Sequence, residues 1–469
     1  MKTIDVDVAI LGAGTAGLGA RRAAESHGAS AVMIDPGPYG TTCARVGCMP
    51  SKLLIAAAEA AHQARHAGVF GVHPSGVRVD GVEVMERVRR ERDRFVGFVN
   101  ESIDGHLEAG RLIEGRGRFL DANTLQIDGH TRVGFKTAVL ATGSSAFVPP
   151  PFRAVPDLLF NDQLFDLVDL PESVLVVGSG VIGLELGQSL ARLGVRTTIV
   201  GIRGVIGPLS DPEVKAEAHR VFSEELDFHP DYQLESVEVL PTGGVRVRFD
   251  GREDTYERVL MAAGRRPNTL ELGLEELGLD PRALDFDPYT AQIGDTNLFM
   301  AGDVSDWRPL LHEAADEGRL AGQNAGSWPR VAAGHRREAL GVVFTDPQIG
   351  LVGRRFDQLD PELHRIGSVD YGDQGRARVM NRHKGLVRIY GSRRCGTLVG
   401  AEMFGPGVEH TAHLLAWAIQ QRVTVEQALT MPFYHPVLEE GIRTALRDLR
   451  DHLRFAGGVL PCPELSQAM

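Results

Sequence analysis

An α/β fold with two glycine-hinged βαβ units and a C-terminal α+β region is predicted by three observations. A strand followed by Gly-x-Gly-x-x-Gly, a helix and a second strand occurs at residues 6–35. The same pattern returns at 173–200, about 165 residues later. From about Leu340 the pattern changes to strands mixed with two amphipathic helices. Strands alternating with helices imply parallel sheets, and a length of 469 residues suggests two to four domains.

Residues 6–11 read as a buried strand, Gly12 to Gly17 as the turn, then an alanine-rich helix to about Gly28 and a strand at 30–35 ending in Asp35. Apolar residues at Val84, Val88, Phe95, Val99, Ile103 and Leu107 predict a helix over 82–109. Residues 114–148 read as strands and turns. The second unit takes Ser173–Val177 as a strand, Gly178 to Gly183 as the turn, a helix to about Leu193 and a strand at Arg196–Val200. Residues 232–263 read as a meander closing that unit, and Gly326 to Glu338 as a linker. The last helix carries Ile442, Leu446, Leu449 and Leu453 on one face, and the tail from Gly457 reads as irregular.

Hydrophobic residues make up 43% and charged residues 24%, an ordinary globular composition. The formal net charge of -12 argues against nucleic acid and gives no attraction to anionic membranes. No signal-peptide pattern and no bilayer-length apolar run is read, so a reducing cytoplasm is the expected compartment. Four cysteines are too few for a disulfide scaffold.

In each glycine motif the first glycine permits the turn, the second lets backbone approach a pyrophosphate, and the third lets helix and strand pack. Gly12, Gly14 and Gly17, with Asp35 about 20 residues on for a ribose hydroxyl, point to a dinucleotide. Gly178, Gly180 and Gly183 have the same context, but Gly201 stands where an acid would favour NADH. Arg203 close by leans toward NADPH, or is a solvated loop residue. The densest chemistry lies in Cys43-Ala44-Arg45-Val46-Gly47-Cys48-Met49-Pro50-Ser51-Lys52. A helix predicted from Leu53 to about Ala67 places its N-terminus behind Cys48, and Lys52 adds a cation, so a thiolate is favoured there. A metal half-site needs two more close ligands, which the isolated Cys395 and Cys462 do not provide. Cys395 reads as a structural residue at a strand-end turn; Cys462, in the tail, is a candidate auxiliary thiol but cannot form an internal redox pair by itself.

These motifs, in this order, resemble the flavin disulfide reductases that include dihydrolipoyl dehydrogenase, glutathione reductase and mercuric reductase. The resemblance spans essentially the full chain. Ala141-Thr142-Gly143-Ser144 is similar to the family's crossover near FAD, Gly264-Arg265-Arg266-Pro267-Asn268 to the end of its NAD(P) domain, and Phe299 to Asp303 to its second FAD signature. His435-Pro436-Val437-Leu438-Glu439-Glu440 resembles the His-Pro…Glu motif that the family contributes across its dimer interface. Pro50-Ser51-Lys52 is similar to dihydrolipoyl dehydrogenases, where glutathione reductases usually have Pro-Lys-Lys. Four departures stand out: Thr41 for the second Gly of Gly-Gly-Thr-Cys, Arg45 for Asn, Asp35-Pro36 for Glu-Lys, and Gly201 for the NAD-type Glu.

The resemblance implies two Rossmann-like dinucleotide-binding domains and a C-terminal α+β dimerisation domain. The expected boundaries are FAD-binding at 1–149 and 271–335, NAD(P)-binding at 150–270 and dimerisation at 336–469. It implies a redox-active Cys43–Cys48 disulfide, Glu185 pairing with Lys52, and His435 oriented by Glu440 as proton shuttle in a homodimer. It implies FAD contacts from the first glycine motif, Asp35, Thr42, Lys52, Gly117, Thr142, Gly143, Ser144, Asp303 and Leu311. NAD(P)H contacts fall to the second motif, Gly201, Arg203 and Gly264. The leading expectation is dihydrolipoyl dehydrogenase-like chemistry, with a lipoyl-carrying protein as candidate partner. The others are NADPH-dependent reduction of another small disulfide, quinone or metal ion, and a redox-sensing flavoprotein with little turnover.

Overall fold

The computed structural model describes residues 2–241 and 243–454. Cys462 and the tail from Gly457 lie outside the described residues. The chain opens with β1 (Lys2–Leu11), α1 (Thr15–Ser26) and β2 (Ala31–Asp35). Val8, Ala9 and Ile10 are fully buried because β1 is central, pairing in parallel with β2 on one side. Next come α2 (Thr42–Val46), α3 (Cys48–His66) and the long α4 (Gly81–Glu108). Strands β3 (Leu112–Glu114), β4 (Gly117–Asp121), β5 (Thr124–Ile127) and β6 (Thr131–Leu140) complete the order β3-β2-β1-β6-β5-β4.

A short β7 (Ser144–Ala146) and α5 (Asn161–Leu164) lead into β8 (Ser173–Val177), α6 (Val181–Arg192), β9 (Arg196–Val200), α7 (Pro212–Glu225) and β10 (Asp227–His229). Strands β11 (Leu234–Val239), β12 (Val245–Phe249) and β13 (Arg252–Tyr256) form a separate antiparallel sheet. Strand β14 (Arg258–Met261) instead joins the parallel sheet β10-β9-β8-β14. Strand β15 (Arg265–Pro267) pairs antiparallel with β7, so the chain enters and leaves the second sheet as one ribbon.

It then returns to the first sheet, where β16 (Leu298–Met300) pairs with the end of β6. Helix α8 (Leu311–Ser327) lies against α1. Gly318 and Gly322 make this contact backbone to backbone: a Cβ there would stand 2.2 Å from Ala16 O and 2.0 Å from Ala20 O. The rest is an antiparallel sheet of β17 (Leu340–Val343), β18 (Gln348–Gly353), β19 (His364–Asp370), β20 (Leu386–Ser392) and β21 (Leu398–Gly405), with α9 (Gly375–Val379), α10 (Val408–Gln420), α11 (Val425–Thr430) and α12 (Glu440–Arg454). Ile442, Leu446, Leu449 and Leu453 are buried, as their spacing on α12 predicts. Among the described residues no helix is long and apolar enough to cross a membrane.

The structure corrects four local expectations. Helix α3 begins at Cys48 rather than Leu53. Pro50 sits in its first turn, where no intrahelical N–H is needed, so it does not delay the helix. The meander is β11 to β13 only, since the buried run Val259-Leu260-Met261 suits a two-sided parallel position. Helix α7 was not anticipated, although Asp211 caps it by accepting from the Glu213 and Val214 N–H groups and Pro212 follows at its first position. The linker is shorter than expected, because α8 continues to Ser327.

Candidate active site

The two glycine turns meet the steric demands of their motif. Gly12 has φ +114°, and a Cβ there would lie 2.2 Å from Ala141 O. Gly17 would bring a Cβ to 1.9 Å from Gly12 O, whereas Gly14 has nothing within 4 Å. Gly178, Gly183 and Gly180 repeat the pattern, at 2.1 Å from Ala262 O, 1.8 Å from Gly178 O and open space. Neither α1 nor α6 has a side-chain cap, so both helix N-termini keep free donors beside the open glycine.

Two adjoining cavities, of ≈ 370 Å³ and ≈ 900 Å³, run along the first turn and share Asp35, Thr42, Arg45, Thr142, Gly143 and Arg265 as walls. Gly117 and Arg116 line only the larger one; Cys43, Cys48, Lys52 and Leu311 line only the smaller, as does Asp303. The Asp35 carboxylate is held by the Ala13 and Gly37 N–H groups, both at 2.7 Å, leaving acceptor capacity toward the cavity. Two joined cavities with an acid on their shared wall, free helix donors beside it and thiols lining the smaller one fit FAD. Asp303 accepts from Ser144 Oγ at 3.0 Å, and Arg265 donates to Ser144 Oγ and O at 2.8 and 2.6 Å. Thr142 Oγ1 donates to Asn268 O at 2.7 Å and the Asn268 N–H to Gly143 O at 2.9 Å, tying β7 to the return strand.

The cysteines sit on consecutive helices. Cys43 is in α2, and Cys48 is the first residue of α3, exposed on the cavity wall. Gly47 between them packs so closely that a Cβ would lie 2.9 Å from Thr42 O. Both thiols are free and hydrogen-bonded to each other. The bond from Cys43, then the Lys52 cation, lower Cys48 from 9.0 to about 6 against the opposing effect of burial. The same bond, with burial, pushes Cys43 well above the usual thiol range. The Lys52 cation and the start of α3 at Cys48 favour the thiolate on Cys48.

Lys52, one turn along α3, binds Glu185 of α6 at 2.7 Å. Glu185 also accepts the Phe344 N–H at 2.9 Å, and Lys52 Nζ lies 4.5 Å from the Phe344 ring centre. Sequence reasoning missed Phe344 in this contact. It also missed Glu317, a buried acid on α8 that accepts from Gly302 N–H at 2.8 Å and Ser305 Oγ at 3.2 Å and so fixes the Asp303 turn. The signal available was the pair Glu313 and Glu317 one turn apart, each bonded to Arg336.

Thr41 carries the departure from Gly-Gly-Thr-Cys at a cost. Its φ of 60° and ψ of 151° fall in a region nearly reserved for glycine. Its Oγ1 caps α2 through a long 3.4 Å bond from the Ala44 N–H. Thr41→Gly is expected to raise unfolding stability by about 1–2 kcal/mol after that weak cap is lost, read by thermal or denaturant unfolding.

His435 Nδ1 lies 3.0 Å from Glu440 Oε1, and Glu440 Oε2 accepts the Val437 N–H at 3.2 Å. The bond to His435 lowers the Glu440 carboxyl, keeping it anionic. Neither residue lines the cavity walls of the same chain, and the His435 side chain is 81% exposed. Near it in sequence, Met431 and Tyr434 are also exposed, as is Trp417 on α10. Cys395 lies in the turn between β20 and β21, with Sγ 3.2 Å from Thr397 Oγ1.

At the second turn, Gly201 is dictated by packing: a Cβ would stand 2.0 Å from Ser179 Oγ. Arg203, exposed at φ 58°, is held by its N–H to Asp231 at 2.8 Å. Gly264, at φ 106°, turns the chain into β15.

Residues 6–318 match the family described as "Pyridine nucleotide-disulphide oxidoreductase", and residues 340–446 match its dimerisation domain. The chain belongs to the pyridine nucleotide-disulphide oxidoreductase family. As a member it is a flavin-dependent disulfide oxidoreductase that uses FAD and NAD(P)H. It is 31% identical to a dihydrolipoyl dehydrogenase of Halobacterium salinarum over 95% of this chain and 96% of that protein. Identity to the enzyme of that name from Geobacillus stearothermophilus is 30%, over 93% and 94%. The crystal structure of LpdA from Mycobacterium tuberculosis superposes with a TM-score of 0.80 at 27% identity, covering 95% of this chain and 99% of that one. In this oxidoreductase, His435 and Glu440 fall inside the dimerisation domain, and both cysteines inside the larger match.

Proposed function

We propose that this oxidoreductase works as a dihydrolipoyl dehydrogenase-like enzyme, exchanging electrons with a dithiol or disulfide substrate through Cys43 and Cys48. The observation that carries this reading is the asymmetric thiol pair on the cavity wall, with the Cys48 thiolate supported by Lys52. Bound FAD supplies the two-electron carrier between the nicotinamide and this pair. The glycine turns, Asp35, Ser144 and Asp303 would hold it, with Gly178, Gly180 and Gly183 holding NAD(P)H. Cys43 attacks or leaves as the exchanging sulfur, forming a mixed disulfide with substrate. Its proton and that of the substrate thiol pass through His435, which Glu440 orients. Because His435 is exposed and off the cavity wall, it serves the pair of a second copy, so the working unit is a homodimer. The functional segments are FAD-binding at 1–149 and 271–335, NAD(P)-binding at 150–270 and dimerisation at 336–469. The relatives' name points to a dihydrolipoyl group as substrate, its carrier protein belongs to this proposal, and a reducing cytoplasm suits the exchange.

The test is steady-state turnover of dihydrolipoamide with NAD+ or NADP+. Rapid nicotinamide reduction supports the reading. No turnover, with the flavin still reducible by NADPH, moves the assignment to another disulfide. Gly201 favours that second reading on the nicotinamide side, since no acid stands at the end of β9 to repel a 2′-phosphate. Gly201→Glu alone is expected to destabilise the fold rather than create NADH preference, because of Ser179. With Ser179→Gly added, the ratio of kcat/KM for NADH over NADPH should rise. A clean shift from the single substitution would contradict the packing argument.

A further inference from the structure

We propose that Arg45, set between the two redox cysteines, binds the pyrophosphate of FAD. The inference rests on the placement of FAD in the joined cavities. Thr42 and Arg45 are three residues apart on α2 and share one face, and both line both cavities. Cys43 and Cys48 line only the smaller one. Asp35 and Arg45 stand on the same shared wall, so a ribose at Asp35 with the flavin ring near Cys48 carries the phosphates past Arg45.

The charges on that wall single out this side chain. Arg265 is committed to Ser144, with a longer bond to Asn161. Both Asp35 oxygens already accept backbone N–H groups. Among the described residues the Arg45 guanidinium makes no ion pair or hydrogen bond, and its Nε is buried with no partner. A buried donor without an acceptor is costly, and a diphosphate supplies acceptors matched to the planar guanidinium fork. The resembled pattern usually has Asn here, which carries no charge, so this cation is a departure from it.

The test titrates de-flavinated wild-type protein, Arg45→Asn and Arg45→Lys with FAD and with riboflavin, and records phosphorus NMR of the FAD-loaded forms. Arg45→Asn should weaken FAD by about 10- to 100-fold, the range of a charge-assisted hydrogen bond, and leave riboflavin within about twofold. The pyrophosphate resonances should move, and Arg45→Lys should retain part of the affinity. FAD affinity within about twofold of wild type with unmoved resonances, or equal losses for FAD and riboflavin, would overturn the proposal. If Arg45→Asn fails to fold, the resonances of Arg45→Lys decide: moved supports, unmoved overturns. Wild-type protein that binds no FAD would refute the cofactor placement itself, and with it this role.

Discussion

His435→Gln is expected to slow thiol–disulfide exchange by about 10²–10⁴-fold, the scale of a lost general acid–base group. Reduction of the flavin by NAD(P)H should be nearly unchanged. Rapid-mixing measurement of the two half-reactions separates them. Glutamine preserves the approximate size and a hydrogen bond to Glu440, but it cannot carry the proton between Cys43 and the substrate sulfur. Glu440 is the positioning partner: its carboxylate holds Nδ1 at 3.0 Å and is itself fixed by the Val437 N–H. Equal losses in both half-reactions would assign His435 to structure instead. Mixing His435→Gln with Cys43→Ser subunits gives a second readout, because activity should return only in heterodimers with one complete site.

Lys52→Met should act on both stability and thiol chemistry. Among the described residues it leaves the Glu185 carboxylate, 5% exposed, with the Phe344 N–H alone. Lys52 is 34% exposed, so the pair lies between surface and buried cases, and the loss should be about 1–3 kcal/mol. Lys52→Met with Glu185→Gln should recover most of it, since the unpaired charge is then gone. In the reduced protein the Cys48 midpoint should rise from about 6 toward the ordinary 9.0. The sign follows from linkage. A thiol whose folded value is lowered contributes stability that is complete above the unfolded value and is lost as pH falls through about 6. In the variant the contribution is smaller, and its loss is complete at a higher pH. Thiolate ultraviolet absorbance in a Cys43→Ser background isolates Cys48, and an unchanged midpoint would remove Lys52 from the thiolate's support.

Much of this site was legible because its chemistry is local. Cys43, Cys48 and Lys52 lie within two short helices, and each glycine motif is a contiguous turn between a strand and a helix. The start of α3 lies five residues before the expected Leu53, and Pro50 in its first turn costs no hydrogen bond. What stayed hidden depends on distant partners. The packing of Gly201 against Ser179 spans a turn, a helix and a strand. The Phe344 contact with Glu185 crosses 159 positions, and the Arg336 grip on Glu317 appears only when the segment after α8 folds back. Glu185 and His435 were named through motif resemblance, because nothing in their local pattern distinguishes them from other acids and histidines.

The central claim, that Cys43 and Cys48 form a redox couple with the flavin, is tested most directly by anaerobic reductive titration of the FAD-loaded protein. Wild type should take up one electron pair more than Cys43→Ser, and the added pair should appear as two new alkylatable thiols assigned to Cys43 and Cys48. Equal uptake by the two proteins, with no new thiols, would contradict the account.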